Sequence, residues 1–317
     1  MKKPIEQSDG GLASASVPSD VEATTGLVLG ASSRSRLLDY CELAKVRLSL
    51  LVIFATAAGF CLGSEGPISV VGLFHVMFGT ALVAFGANAL NQVIERDYDR
   101  LMRRTENRPI PSGRMSVIEA TAFGLAAAAA GLAQLWAFTN LLAASLAAAT
   151  LLLYLLAYTP LKRRTPLNTL VGAVPGAIPP MIGYAAAGGR LDAMAWVLFA
   201  ILFFWQLPHF FAIAWLYRED YARGGYRMLS LVDPLGTAVG RQTVLFSVLL
   251  IACSFLPCFL CDVRSAYPLG ALLLGVALLW LAVRFARRRT RTNARIMLLA
   301  SIAYLPLLLT FLVATRR

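Results

Sequence analysis

The chain has 317 residues, of which 58% are hydrophobic and 15% charged, and its formal net charge is +12. Soluble domains usually carry about 25% charged and about 45–50% apolar residues, so one water-soluble core could not bury this apolar excess. The composition excludes a soluble nucleic-acid-binding protein and a secreted, disulfide-stapled domain. It favours a protein that crosses a lipid bilayer several times.

The N-terminal segment, residues 1–34, is rich in Ser, Ala, Gly and Thr and carries scattered acidic residues. No apolar run follows the opening Met-Lys-Lys, so the segment does not have the pattern of a cleaved secretory signal. We predict a disordered tail here. Residues 35–317 are predicted to form a single polytopic membrane domain, which begins with an interfacial helix over 35–48.

Nine apolar stretches are long enough to cross the roughly 30 Å of bilayer hydrocarbon, which takes about 20 helical residues. A closed β-barrel would instead show alternating segments of about ten residues, and that alternation is absent. We therefore predict an all-α membrane protein, a bundle of about nine transmembrane helices. The expected bounds are 46–64, 69–93, 117–138, 140–159, 168–187, 194–217, 242–260, 267–284 and 296–314.

Basic residues collect on one side of this predicted bundle. With the N-terminus in the cytoplasm, most of the 29 Lys and Arg residues fall in the N-terminal segment and in the loops after the even-numbered spans. The opposite side keeps only Arg190, Arg264, Arg316 and Arg317. Because cytoplasmic loops are enriched in Lys and Arg, the bias predicts a cytoplasmic N-terminus. The even-numbered loops are also longer and more polar, so we expect the chemistry on the cytoplasmic face.

Polar residues at helical spacing mark the end of the second predicted span. Asn91, Glu95 and Asp99 are four residues apart, so on a helix they share one face. Oxygen ligands of this kind suit Mg²⁺, which also binds substrate phosphates. A solvated helix end would explain Asp99. It explains Asn91 and Glu95 poorly, because they continue the polar stripe back into apolar sequence, where polar groups are costly.

Basic residues follow the second and fourth predicted spans. Arg104 and Arg108 lie in the loop after the second span, and Lys162 and Arg163 follow the fourth. Arg forks bind phosphate oxygens bidentately, so a phosphate-bearing anion beside the Mg²⁺ site is expected. The alternative is that each basic residue only retains its loop in the cytoplasm. Tyr158, one turn before Lys162, is either a pocket residue or part of an aromatic belt.

The sixth predicted span carries polar residues within an aromatic sequence. Gln206 and His209 are three residues apart, and Asp220 follows His209 after close to three helical turns. With Tyr217 and Trp205 they can face one cavity, in which Asp220 would be a second cation ligand. Alternatively, His209 does not line a cavity and is a hydrogen-bonded histidine of the helix-packing core.

Acidic residues at two helix ends, a basic surround and an aromatic cavity suit a substrate with a diphosphate head and a hydrophobic tail. Four motifs extend this interpretation: Asn-x-x-x-Glu-x-x-x-Asp at 91–99 followed by Arg-Thr-x-x-Arg-Pro at 104–109, Tyr-Thr-Pro-Leu-Lys-Arg at 158–163, Trp-Gln-Leu-Pro-His-Phe at 205–210, and Arg-Glu-Asp-Tyr at 218–221. In these motifs the chain resembles the UbiA-type intramembrane prenyltransferases, and within them the haem-farnesylating branch. The resemblance covers about residues 36–314.

The resemblance implies Mg²⁺ as cofactor, with farnesyl diphosphate and haem B as substrates. The farnesyl group would pass to a vinyl group of haem B, giving diphosphate and haem O for terminal oxidases. By the same resemblance, Mg²⁺–diphosphate would be held by Asn91, Glu95, Asp99 and Asp220, and the diphosphate would be contacted by Arg104, Arg108, Lys162 and Arg163. We expect the haem or prenyl pocket to include Tyr158, Trp205, Gln206, His209 and Tyr217.

The resemblance leaves the number of Mg²⁺ ions open. Many superfamily members carry Asp-x-x-x-Asp as the second acidic motif, whereas Glu219 and Asp220 are adjacent here and cannot share a helical face. One or more ions therefore remain consistent with the sequence.

Two alternatives stay open at this point. One is prenylation of a quinone-precursor aromatic acid by the same machinery. The other is transport of an anionic substrate, although transporters typically bind near the bilayer midplane, whereas these acids cluster at one interface. The expected partners are the lipid bilayer and, downstream, a haem A synthase or oxidase assembly factors, with no nucleic acid. The expected location is the inner membrane of a bacterium, with the active site facing the cytoplasm.

Overall fold

The computed structural model describes residues 35–316, and most of these residues are helical. The predicted disordered tail, residues 1–34, lies outside the described part of the chain. Within 35–316, nine helices are long and apolar enough to cross a membrane, as the sequence predicted. We call them spans 1 to 9: Val46–Gly63, Val70–Asp99, Val117–Phe138, Leu141–Leu161, Asn168–Gly188, Ala193–Leu216, Thr237–Leu260, Ala266–Arg287 and Arg291–Thr315.

Three of the spans are built from shorter helical segments. Span 4 joins an α-helix, a π-helical turn and a final α-helical turn, span 5 is divided before Pro179, and span 7 is divided before Pro257. Proline removes a backbone donor, so a helix commonly breaks or restarts at it. Three short helices complete the described helical segments: Arg36–Leu43, Arg218–Arg223 and Leu229–Val232.

Spans 2, 7 and 9 are longer than the apolar sequence predicted. Span 2 continues to Asp99 rather than ending near 93. Span 7 begins at Thr237 rather than near 242, and span 9 begins at Arg291 rather than near 296. Hydropathy marks only the part of a helix that lies in hydrocarbon, whereas the helix itself continues wherever its polar side chains find partners. The extension keeps Asn91, Glu95 and Asp99 on one unbroken helix.

The prediction of one continuous interfacial helix over 35–48 is wrong, because the chain forms two helices there. The helix Arg36–Leu43 ends two residues before Lys45, whose backbone is left-handed at φ 49° and ψ 48°, and span 1 begins at Val46. Side chains of span 2 satisfy the carbonyls that this break exposes. Gln92 donates to the Leu43 carbonyl at 2.6 Å, and the Asn88 amide donates to the Ala44 carbonyl at 3.0 Å. The break is therefore held by buried hydrogen bonds.

Spans 5 and 6 form the centre of the bundle. In the most apolar stretch of each span, 67% of the residues of span 5 and 61% of those of span 6 are buried, compared with 17% for span 4. The contact between spans 1 and 5 is very close, because Gly183 and Gly59 lie where the two backbones meet. A Cβ on Gly183 would lie 1.8 Å from the Thr56 carbonyl oxygen. Small residues allow this kind of helix packing in membranes.

Three segments converge at one end of the bundle, which we call the polar end: residues 100–116, 162–167 and 217–236. The Arg227 backbone N–H donates to the Lys162 carbonyl at 2.8 Å, and the Arg103 backbone N–H donates to the Asp220 carboxylate at 3.2 Å. These bonds bring the ends of spans 2, 4 and 6 together. The candidate site lies there.

Replacing Gly183 with Ala should destabilise the bundle. The new methyl group would overlap backbone atoms of span 1, so the two spans must separate, and overpacking of this kind costs about 1–3 kcal/mol. The expected result is a lower Tm in thermal unfolding of the detergent-solubilised protein.

Gly66→Ala is the matched control, because a Cβ at Gly66 has no atom within 4 Å. Its Tm should stay close to wild type. Equal Tm values for the Gly183→Ala and Gly66→Ala variants would contradict the close packing of spans 1 and 5.

Candidate active site

The polar column on span 2 is buried. Asn91, Glu95 and Asp99 are 1%, 5% and 1% exposed, and they share one face of the helix as their spacing predicted. A charged or amide group in such surroundings is costly unless it is hydrogen-bonded or ion-paired. The partners of these three side chains therefore define the site.

Each carboxylate of the column is neutralised by one cation from another segment. The Lys162 ammonium is 2.8 Å and 3.1 Å from the two Glu95 oxygens. The Arg108 guanidinium donates to the Asp99 Oδ2 atom at 2.6 Å. Burial alone would lower the pKa of Lys162, but the Glu95 carboxylate raises it well above its ordinary value. Lys162 is therefore held as a cation at this position.

Asn91 contacts Lys45, a residue that was not predicted to belong to the site. Its amide nitrogen donates to the Thr159 hydroxyl at 3.1 Å, and its Oδ1 atom accepts from the Lys45 ammonium at 3.4 Å. Lys45 is the only non-glycine residue with positive φ among residues 35–316. Such a backbone costs roughly 1–3 kcal/mol and is found mostly at functional sites. The only sign of Lys45 in the sequence is that it is a basic residue just before span 1.

Asp220 lies on the short helix after span 6, where it is 9% exposed. One of its carboxylate oxygens accepts from the Arg103 backbone and from the Arg223 side chain. The neighbouring Arg104 guanidinium stacks over two tyrosine rings, 4.8 Å from the Tyr217 centroid and 5.2 Å from that of Tyr221. Asp220 thus anchors the loop that directly follows the polar column.

A cavity of about 440 Å³ opens beside Glu95. Its walls include Tyr98, Thr159, Arg163 and Tyr226. The Arg163 guanidinium lies 3.9 Å above the Tyr98 ring and also hydrogen-bonds its hydroxyl group. Burial raises the pKa of the Tyr226 phenol, so this hydroxyl stays protonated beside the acidic column. The cavity therefore presents cationic and neutral donor groups next to a carboxylate.

Two of the residues predicted for the pocket flank these basic groups, and three do not. Tyr158 lies below the Lys162 ammonium, 4.6 Å from ring centroid to nitrogen, and Tyr217 lies below Arg104. The other three, on span 6, take part in helix–helix hydrogen bonds with spans 5 and 9: Trp205 donates to the Ser301 carbonyl, Gln206 to the Ala173 carbonyl, and His209 pairs with the Ser301 hydroxyl. Their role in a haem or prenyl pocket stays a prediction.

The oxygen donors of the site have the chemistry that Mg²⁺ prefers. The carboxylates of Glu95, Asp99 and Asp220 each face a cationic side chain of the protein, so their positions already favour positive charge. The Asn91 Oδ1 atom accepts a hydrogen bond from the Lys45 side chain. Within residues 35–316, no three carboxylate, histidine or cysteine side chains converge into a preformed metal cluster. The residues fit Mg²⁺ by donor type, and they would exchange a lysine or arginine partner to bind it.

Comparison with known proteins gives one family. The family model described as the UbiA prenyltransferase family matches residues 51–308. The protoheme IX farnesyltransferase of Solibacter usitatus (strain Ellin6076) is 47% identical over 279 residues, which cover 85% of this chain and 96% of that protein.

Solved structures share the fold. A structure described for digeranylgeranylglyceryl phosphate synthase has a TM-score of 0.72 at 18% identity and covers 88% of this chain and 98% of its own. A UbiA homolog from Archaeoglobus fulgidus bound to GPP and Mg²⁺ has a TM-score of 0.63 at 15% identity, with coverages of 87% and 100%. At such identities the likeness shows the fold alone.

The surroundings of Lys45 predict an unusual effect of pH on stability. Burial lowers the pKa of Lys45 to about 7, with further contributions from Arg108 and Lys162. The protonated amine therefore destabilises the fold below pH 7, and this cost declines above pH 7, where the folded protein holds a neutral amine. Lys45→Met should raise the Tm of the ligand-free protein by about 2 °C or more at pH 6, and by less at pH 9.

Arg47→Met is the matched control, because Arg47 is exposed and an arginine stays charged at both pH values. Its effect on Tm should not depend on pH. A Tm gain for Lys45→Met that is equal or larger at pH 9 would contradict the environment described for Lys45.

Proposed function

The chain belongs to the UbiA prenyltransferase family, and on this premise we propose that it transfers a farnesyl group from farnesyl diphosphate to haem B. The products would be haem O and diphosphate. The protoheme IX farnesyltransferase with 47% identity supports the choice of haem as acceptor within the family. The quinone-precursor prenyltransferase and the anion transporter are the outcomes that the assay below must exclude.

One observation carries the proposal: buried carboxylates and partly buried cations lie side by side at the polar end of an apolar bundle. The Glu95–Lys162 and Asp99–Arg108 pairs bring both kinds of charge to one place. A metal–diphosphate needs both, because carboxylate and amide oxygens bind the metal while lysine and arginine bind phosphate oxygens. The prenyl tail would extend from this point into the apolar interior.

In this proposal the basic residues bind the leaving group. Lys162 and Arg108 would release their carboxylates and donate to diphosphate oxygens, with Arg104, Arg163 and Lys45 beside them. Mg²⁺ would be held by Asn91, Glu95, Asp99 and Asp220, and when bound it would offset the negative charge of the departing diphosphate. The number of ions is left open by the adjacent positions of Glu219 and Asp220.

The proposed reaction involves the following bond changes. The bond between farnesyl C1 and the diphosphate oxygen breaks, and the electron pair leaves with the diphosphate. A vinyl carbon of haem B then bonds to C1. Water adds to the adjacent cationic carbon and loses a proton, which gives the hydroxyethyl group of haem O. The protein contributes by holding diphosphate in place and by excluding water from the allylic cation until the vinyl group has reacted.

The basic loops also support a location. Arg and Lys residues are concentrated in the segments of the polar end, and cytoplasmic loops are enriched in these residues. We propose that the protein lies in a bacterial inner membrane with the polar end facing the cytoplasm. A haem A synthase or an oxidase assembly factor would receive the product there.

An assay on the purified full-length protein tests this function. In detergent, with Mg²⁺, farnesyl diphosphate and haem B, we expect mass spectrometry to detect haem O, and chelation of Mg²⁺ with EDTA should abolish the product. A parallel reaction supplies 4-hydroxybenzoate in place of haem. Prenylated 4-hydroxybenzoate without haem O would support the quinone-precursor alternative, and no product from either acceptor would contradict prenyl transfer.

Substitutions in the polar column should remove turnover without unfolding the protein. Asn91→Ala and Asp99→Asn should each lower kcat/KM for farnesyl diphosphate by about 100-fold or more, because each removes a group that stabilises developing charge. The measurement is a steady-state rate together with a Tm.

Asp97→Asn is the control on the same helix. Asp97 has a 60% exposed side chain, and its ion-pair partners among residues 35–316 are Arg96 and Arg100 at the surface. Its kcat/KM should stay within about twofold of wild type. Wild-type rates for Asn91→Ala would exclude the column from the site.

A further inference from the structure

A second cavity, of about 470 Å³, lies beside the polar end between spans 6 and 9. Leu216 and Leu298 contribute to its apolar lining, and Tyr217, Arg291 and Arg295 contribute polar and aromatic groups. Ligand pockets for small molecules usually measure about 300–1,000 Å³ and combine apolar walls with a few polar groups. This cavity has both properties, and the polar column of span 2 does not line it.

The two arginines of this cavity have no acidic partner within residues 35–316. The ion pairs of the described residues involve other basic side chains, and neither Arg291 nor Arg295 donates a side-chain hydrogen bond there. They lie one helical turn apart at the beginning of span 9, where the helix dipole also favours an anion. Two unpaired guanidinium groups at this spacing suit a ligand with two separate carboxylates.

Tyr217 connects this cavity to the candidate active site. One wall of the cavity is formed by Tyr217, and the Arg104 guanidinium lies 4.8 Å from the centroid of the same ring. Arg104 also donates to the Tyr221 hydroxyl at 3.3 Å, next to Asp220. A molecule in the cavity would therefore lie beside the groups proposed to bind diphosphate.

We propose that this cavity binds the acceptor, with the two propionate groups of haem B paired to Arg291 and Arg295. The assignment rests on the haem-farnesylating function proposed above. The porphyrin face would pack against Leu216, Leu298 and the Tyr217 ring. Haem B carries its vinyl groups on the side of the ring away from the propionates, so the reacting group would point away from the two arginines. A phospholipid with a single phosphate offers only one anionic centre for the two arginines.

The test measures KM for each substrate in the full-length protein in zwitterionic detergent. For the double variant Arg291→Gln, Arg295→Gln, we expect KM for haem B to rise about tenfold, because two charge-assisted contacts are lost. KM for farnesyl diphosphate should stay within about twofold of wild type, which also shows that the variant is folded.

Arg287→Gln is the matched control: it removes an exposed arginine from the end of span 8, outside the cavity. Its KM for haem B should equal that of wild type.

A second acceptor, haem B with both propionates esterified to methyl groups, separates the sources of negative charge. Wild type should show a KM for this diester close to the raised value of the double variant, and the double variant should lose nothing further. Equal losses with haem B and with the diester would overturn the assignment, because the arginines would then bind a lipid headgroup or support the fold.

Failure of this inference differs from failure of the proposed function. If wild type makes haem O and the double variant keeps the wild-type KM for haem B, the acceptor assignment alone is overturned. If wild type makes no haem O, the proposed function is overturned, and this assignment is overturned with it.

Discussion

The architecture of the polar end depends on the cost of burying carboxylates in an apolar bundle. Glu95 and Asp99 lie on span 2 with 5% and 1% exposure, and burying a carboxylate without a neighbouring cation is costly. Lys162 and Arg108 supply those cations from two different segments. The Glu95–Lys162 pair joins the ends of spans 2 and 4, and the Asp99–Arg108 pair holds the loop after span 2 against that span.

The same contacts explain how one site can bind both a metal and an anion. Without ligands, the carboxylates and the cations neutralise one another. When a metal–diphosphate enters, each set of groups can exchange its partner within the protein for one on the ligand, so the total number of buried unpaired charges need not increase. Asn91 adds a neutral oxygen, and Lys45 adds an amine that is held on a strained backbone. Such strain persists only where the surrounding structure maintains it.

Much of this arrangement could be predicted from the sequence, and the remainder depends on contacts between distant residues. Length and apolar composition predicted nine spans, and a spacing of four predicted the shared face of the polar column, because both follow from helix geometry. Lys45 could not be selected, since its importance comes from Asn91, which is far away in sequence. Trp205 and His209 resembled pocket residues by type, but both hydrogen-bond to Ser301 on span 9. Hydropathy located span 9 but could not show which other span it packs against.

The most direct test is a structure of the protein with Mg²⁺ and a non-hydrolysable farnesyl diphosphate analogue. We expect oxygens of Asn91 and Asp99 to ligate the metal, and we expect Lys162 and Arg108 to have moved from their carboxylates to diphosphate oxygens. Diphosphate bound elsewhere, with the Glu95–Lys162 and Asp99–Arg108 pairs still intact, would contradict the proposed site.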